Sequence, residues 1–102
     1  MGSIDLNPDQ FELVKNILKT TLPHIAKVWV FGSRATGKAK PFSDLDLAID
    51  AGQKLSQSDY SDLSEAFENS ALPYKVDLVD MHDVSEHFKK IMDTSKVEFK
   101  LL

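Results

Sequence analysis

The chain has 102 residues, 42% of them hydrophobic and 27% charged, values that fit one folded domain and exclude a disordered tail. Twelve basic against sixteen acidic side chains leave a net charge of −4, which counts against a non-specific nucleic-acid binder. The absence of cysteine excludes disulfide scaffolds and thiolate metal sites.

In chain order, Asn7-Pro8-Asp9-Gln10 reads as a helix start, with a capping Asn, Pro in the first turn and an acid beside it. Phe11, Val14, Leu18 and Leu22 then recur at helical spacing up to Pro23. Val28-Trp29-Val30-Phe31 predicts a short strand, apolar on both faces and therefore covered on both, by ordinary core, by a partner or by a second copy in a homo- or hetero-oligomer. A loop over 32–43 follows, with room for one helical turn after Gly32. Leu45 to Asp50 alternates as a strand with Leu45, Leu47 and Ile49 inward. A helix is expected from Ser58 to about Ala71, a strand over Lys75–Val79, and a last helix carrying Val84, Phe88, Ile91 and Met92, capped by Ser85 or Asp83. Val97 to Leu102 is short, apolar and ambiguous. No apolar run approaches the length of a membrane span, and Met1 to Asp5 lacks the blocks of a signal peptide, so a cytoplasmic domain is expected. The pattern predicts a single domain over 1–102 of the α/β (α+β) class. Its mixed sheet has three or more strands, with helices mainly on one face. The second and third strands flank a helix and should be parallel.

Two clusters carry chemistry. The basic set is eleven lysines and one arginine, Arg34, and two of the four glycines, Gly32 and Gly37, lie beside that arginine. Gly32-Ser33-Arg34-Ala35-Thr36-Gly37 directly follows a strand, a place where backbone N–H groups and a helix start suit a phosphate. Ser33 and Arg34 add a hydroxyl and a charged fork. The segment nearly fits the P-loop pattern, but Ala39 stands where a Mg²⁺-ligating hydroxyl is needed and Pro41 stops the long helix.

The second cluster is acidic. Ser43-Asp44-Leu45-Asp46-Leu47 sets two carboxylates on one strand face, with Cα atoms about 6.5–7 Å apart. Carboxylates so close repel unless a cation lies between them, and hard oxygen ligands suit Mg²⁺. Asp77, between Val76 and Leu78, points at the same site if its strand pairs with the second. There it would bind the metal that activates an acceptor hydroxyl, or take that hydroxyl's proton. Aspartate is a poor strand former, so three on one sheet face exceed what an exposed face requires. If the glycine loop and Asp44 hold the same phosphates, the first two strands must be antiparallel.

Taken together, Gly32-Ser33-Arg34-Ala35, Gly37, Ser43-Asp44-x-Asp46-Leu47 and the later Asp77 resemble the nucleotidyltransferase superfamily of DNA polymerase β, and in size its smallest branch, the minimal nucleotidyltransferase (MNT) domain. The resemblance implies that Asp44, Asp46 and Asp77 are the catalytic, metal-binding triad, with two Mg²⁺ ions. It implies that Gly32, Ser33, Arg34 and Ser43 hold a nucleoside triphosphate, ATP by expectation. The reaction would move AMP to a hydroxyl and release pyrophosphate. Larger members carry a helical domain that grips the acceptor, so a partner would supply that surface. In MNT proteins of this kind the implied partner is a HEPN-domain RNase toxin, neutralised by AMP transfer to a tyrosine, which would make this chain an antitoxin. Two alternatives stay open: a module that neutralises by contact alone, and transfer to a small molecule such as an aminoglycoside. His24, His82 and His87 lack metal-ligand spacing.

Overall fold

The computed structural model describes residues 4–101. Helix α1 (Pro8–Thr21) opens on a reciprocal cap: Gln10 N donates to Asn7 Oδ1 at 2.8 Å while Gln10 Oε1 accepts from Asn7 N at 3.4 Å. It buries Val14 and Leu18. Strand β1 (Lys27–Phe31) runs into a single helical turn, α2 (Ser33–Thr36), which Gly37 ends in the left-handed conformation. Strand β2 (Leu45–Asp50), helix α3 (Gln57–Glu68), strand β3 (Val76–Asp80), helix α4 (Glu86–Asp93) and strand β4 (Val97–Phe99) complete the chain.

The sheet order is β3-β2-β1-β4, with β1 antiparallel to both neighbours and β2 parallel to β3. Both inferences about strand direction hold. The sheet has one strand more than the three read individually from the sequence: the ambiguous end supplies β4, paired Val28 to Phe99. Helix α3 ends at Glu68 rather than near Ala71, because the Ser70 hydroxyl donates to the Phe67 carbonyl at 2.6 Å and closes the turn locally. Ser85, not Asp83, caps α4, its Oγ accepting from Phe88 N.

The pleat sorts the side chains. Val28, Val30, Leu45, Leu47, Ile49 and Phe99 face α1 and α3 and form the main core with Val14, Leu18, Leu63 and Phe67. Trp29, Phe31, Ala48 and Asp46 lie on the opposite face, as the pairs Trp29–Ala48 and Phe31–Asp46 require. There α4 covers part of the surface: Phe88 meets Phe31 edge-on at 5.9 Å, and Met92 is buried. Lys96, just beyond α4, stands 4.6 Å over the Trp29 ring. The twice-apolar first strand is thus partly covered on its second face from within the chain, where Trp29 and Phe31 stay half-buried. Among the described residues no helix is long and apolar enough to cross a membrane.

Phe99 is 1% exposed and stacks on Phe11 of α1 at 4.5 Å. Phe99→Ala should cost about 3–5 kcal/mol, the range for an aromatic removed from a packed core, and chemical denaturation followed by circular dichroism will measure it.

Candidate active site

The first two carboxylates are set by the end of one strand and the start of another. Gly32 closes β1 at φ 72°, ψ −154°, a conformation side chains avoid, and a Cβ there would collide with Oδ2 of Asp46. Lack of a side chain is what lets the glycine loop descend onto the β2 carboxylate. Asp46 pairs laterally with Asp77 across the parallel β2–β3 ladder, so both side chains project on the α4 face. Asp44 stands two residues before Asp46 and is exposed.

Their proximity is written in the titration of Asp46. Burial first, then the charges of Asp77 and Asp44, and last a hydrogen bond with Asp77, push its carboxyl from the ordinary 3.8 up to about 6. The nearest cation is Lys75, whose Nζ lies 3.7 Å from Asp77 Oδ1 on an exposed side chain, a weak counterweight. Among the described residues no three acidic, imidazole or thiol groups converge as a ready-made metal cage. Asp46 and Asp77 touch, and Asp44 is coupled to Asp46 by charge. The donor set is nonetheless all hard carboxylate oxygen, mutually repelling and partly desolvated, which is the chemistry that fits a divalent cation such as Mg²⁺.

Arg34 is placed otherwise than the sequence suggested. Its side chain is 4% exposed and turned into the protein. Nε and Nη2 donate to the Ser43 carbonyl (3.0 and 2.9 Å), Nη1 to the Asp5 carbonyl (2.8 Å) and Nη2 to the Pro41 carbonyl (3.2 Å). The guanidinium also lies 3.9 Å over the Tyr74 ring. A fork already filled by carbonyls does not face a phosphate, so its assignment as a nucleotide ligand is corrected to that of a clamp on the loop. Ser43 belongs to the same clamp: its carbonyl takes Arg34 and its Oγ accepts from Lys40 N at 2.8 Å. Ser33 begins α2, half-buried, and its carbonyl accepts from Lys38 N. The one-turn α2 and the antiparallel β1–β2 pair are incompatible with the strand–loop–helix of a P-loop.

Tyr74 was missed in the sequence. It supports Arg34 from below and donates its hydroxyl to Gln10 Oε1 at 3.1 Å. The available signal was the solitary arginine among lysines, the cation suited to burial. At the far end of β2, Asp50 Oδ1 lies 2.6 Å from His82 Nε2 and also accepts from Gly52 N. Asp80 accepts from Leu55 N and His82 N. These strand-end aspartates are turn-holding residues. The Gly52 N–H and the His82 ring hold the Asp50 carboxyl below the usual range.

This geometry matches known proteins. The profile of the "Polymerase beta, Nucleotidyltransferase" family matches residues 12–99, and the chain belongs to that family. Among its relatives is the probable protein adenylyltransferase MntA of Haemophilus influenzae, 44% identical over 91 residues, which are 89% of this chain and 79% of that one. A crystal structure of a toxin–antitoxin with AMP-PNP superposes with a TM-score of 0.76 at 26% identity, covering 93% of this chain and 73% of the other. The fold is shared too with a tri-AMPylated Shewanella oneidensis HEPN toxin in complex with MNT antitoxin (TM-score 0.64, 24% identity, 88% and 71% covered).

Two outcomes are expected. Arg34→Lys keeps the charge but loses the fork; it should cost about 2–3 kcal/mol, which lowers the thermal midpoint by roughly 10–20 °C in calorimetry. For Asp46 the native value of about 6 exceeds the unfolded 3.8, so between them the folded state holds the extra proton. Its contribution therefore stabilises the metal-free protein as pH falls from about 7 towards 4. Asp46→Asn should remove that rise, read as thermal midpoint against pH in chelator.

Proposed function

We propose that this chain transfers AMP from ATP to a hydroxyl of a protein acceptor, a tyrosine of a HEPN-domain toxin, and thereby acts as an antitoxin. The observation that carries the reading is the lateral Asp46–Asp77 pair, with Asp44 two residues ahead, beneath the glycine-ended β1. The 44% identity to a probable protein adenylyltransferase supports protein as acceptor, and the toxin–antitoxin likeness with AMP-PNP supports both the nucleotide and the partner. The reading sets the reaction in the cytoplasm.

Asp44, Asp46 and Asp77 would hold Mg²⁺, in two ions by expectation. The bound cations would neutralise phosphate charge and acidify the acceptor hydroxyl. Gly32 and Ser33 receive the triphosphate at the mouth of α2, with the Ser33 hydroxyl available as a donor. Arg34 and Ser43 hold the other wall, Pro41 to Asp44, in place. The acceptor oxygen attacks the α-phosphorus, the bond to the β-phosphate oxygen breaks, and pyrophosphate leaves. In this reading Asp77, on the edge strand of the sheet, takes the hydroxyl proton.

With ATP labelled at the α-phosphate, Mg²⁺ and a lysate of the source cell, wild type should label a protein band. Asp44→Asn with Asp46→Asn should reduce that label by at least about a hundredfold. No label in protein, nucleic acid or small molecules would overturn the reading in favour of neutralisation by contact.

A further inference from the structure

Strand β3 is an edge, and its register fixes which backbone groups lie open. Leu45 N donates to Lys75 O and Met81 N to Ile49 O, so the odd-numbered residues of β3 turn their N–H and C=O groups toward β2. Val76, Leu78 and Asp80 turn theirs outward. The Leu78 carbonyl takes a long 3.3 Å bond from the exposed Tyr60 hydroxyl, and the Asp80 carbonyl accepts from Asp83 N. The outward N–H groups of Val76 and Leu78 and the Val76 carbonyl border a cleft of about 300 Å³ between β3 and α3. Ser64, Phe67 and Glu68 of α3 line one side of it, and Asp77 lies on its wall.

The electrostatics of the cleft have a sign. Helix α3 carries Asp59, Asp62, Glu65 and Glu68 and no lysine or arginine. Glu68 is exposed and lines the cleft, and the exposed Glu65 lines the adjoining groove on the outer surface of α3; within the cleft Lys75, already beside Asp77, is the opposing charge. Leu63 and Phe67 anchor α3 on the core face, whereas Asp77 projects on the α4 face. A strand added to the open edge would lie about 4.8 Å from β3, with side chains alternating between those faces. One residue would then stand next to Asp77, and its two neighbours would stand toward α3, where Glu68 lines the cleft and Glu65 the groove beside it.

Resting on the nucleotidyl-transfer reading above, we propose that the acceptor protein presents an extended basic segment that pairs with the outer edge of β3. Its hydroxyl side chain sits beside Asp77, and its flanking basic residues sit against α3. Tyr60 caps the edge when it is empty and yields the Leu78 carbonyl to the incoming backbone. Charge complementarity with α3 and continuity with the carboxylates select this occupant.

The test uses two nine-residue peptides, one with a central tyrosine flanked by lysines and one with the same tyrosine flanked by glutamates. The first should slow amide exchange at Val76 and Leu78 at least tenfold, and its tyrosine should receive label from ATP. The second should do neither. Glu65→Lys with Glu68→Lys should raise the KM for the basic peptide at least tenfold and leave the affinity for an ATP analogue unchanged. A basic peptide that leaves those two amides exchanging as in the free protein overturns the proposal, as does equal behaviour of the acidic one. If no acceptor is ever labelled, the transfer reading fails, while amide protection by the basic peptide still decides the docking edge.

Discussion

One buried guanidinium holds the carboxylate-bearing end of this molecule together. Arg34 rises from the single turn of α2 and bonds the carbonyls of Asp5, Pro41 and Ser43 while lying on Tyr74. Those partners come from the segment before α1, the loop before β2 and the segment before β3. None of these residues belongs to a strand of the sheet, and the fork is the one side chain that bonds the first two segments while lying on the third. Between the clamped carbonyls of Pro41 and Ser43 lies the turn that delivers the chain to Asp44. A lysine offers a point charge and no plane, which explains why the sole arginine of a lysine-rich chain sits here.

The clamp makes a costly arrangement tolerable. Asp46 is partly desolvated, touches Asp77 and feels Asp44. The glycine that overhangs it has a backbone conformation few other residues accept. Such local destabilisation persists only when the surroundings overdetermine it, and here a close-packed sheet and the Arg34 bonds do so. Carboxylates fixed in this way would not have to be gathered before receiving a doubly charged cation.

Much of this was legible in residue order because local signals and tertiary need coincided. Asn7-Pro8-x-Gln10 specifies the α1 start by itself, and the alternation of Leu45, Leu47 and Ile49 fixes which way Asp46 must point. The antiparallel β1–β2 pair followed from requiring one site to use both Gly32 and Asp44. What stayed hidden depends on partners distant in the chain. Phe99 is a core residue because Phe11 and Val28 meet it, and no local pattern of three residues announces that. Arg34 looked like a phosphate ligand because its sequence neighbours are polar and small. Its true partners are carbonyls as far away as Asp5, which are invisible to a reading of side-chain types.

The stack of Phe11 on Phe99 also sets a clock on the molecule's birth. Eighty-eight positions separate the two rings, so a nascent chain displays the apolar stripe of α1 long before β4 exists to cover it. At about 5–20 residues per second of synthesis, that exposure lasts on the order of ten seconds. During that interval the sheet lacks its fourth strand, β1 has an open edge, and the loop-closure cost of joining the two ends remains to be met. The carboxylates on β2 and β3 are complete earlier than the core that steadies them. The geometry of these carboxylates is therefore steadied only once β4 docks.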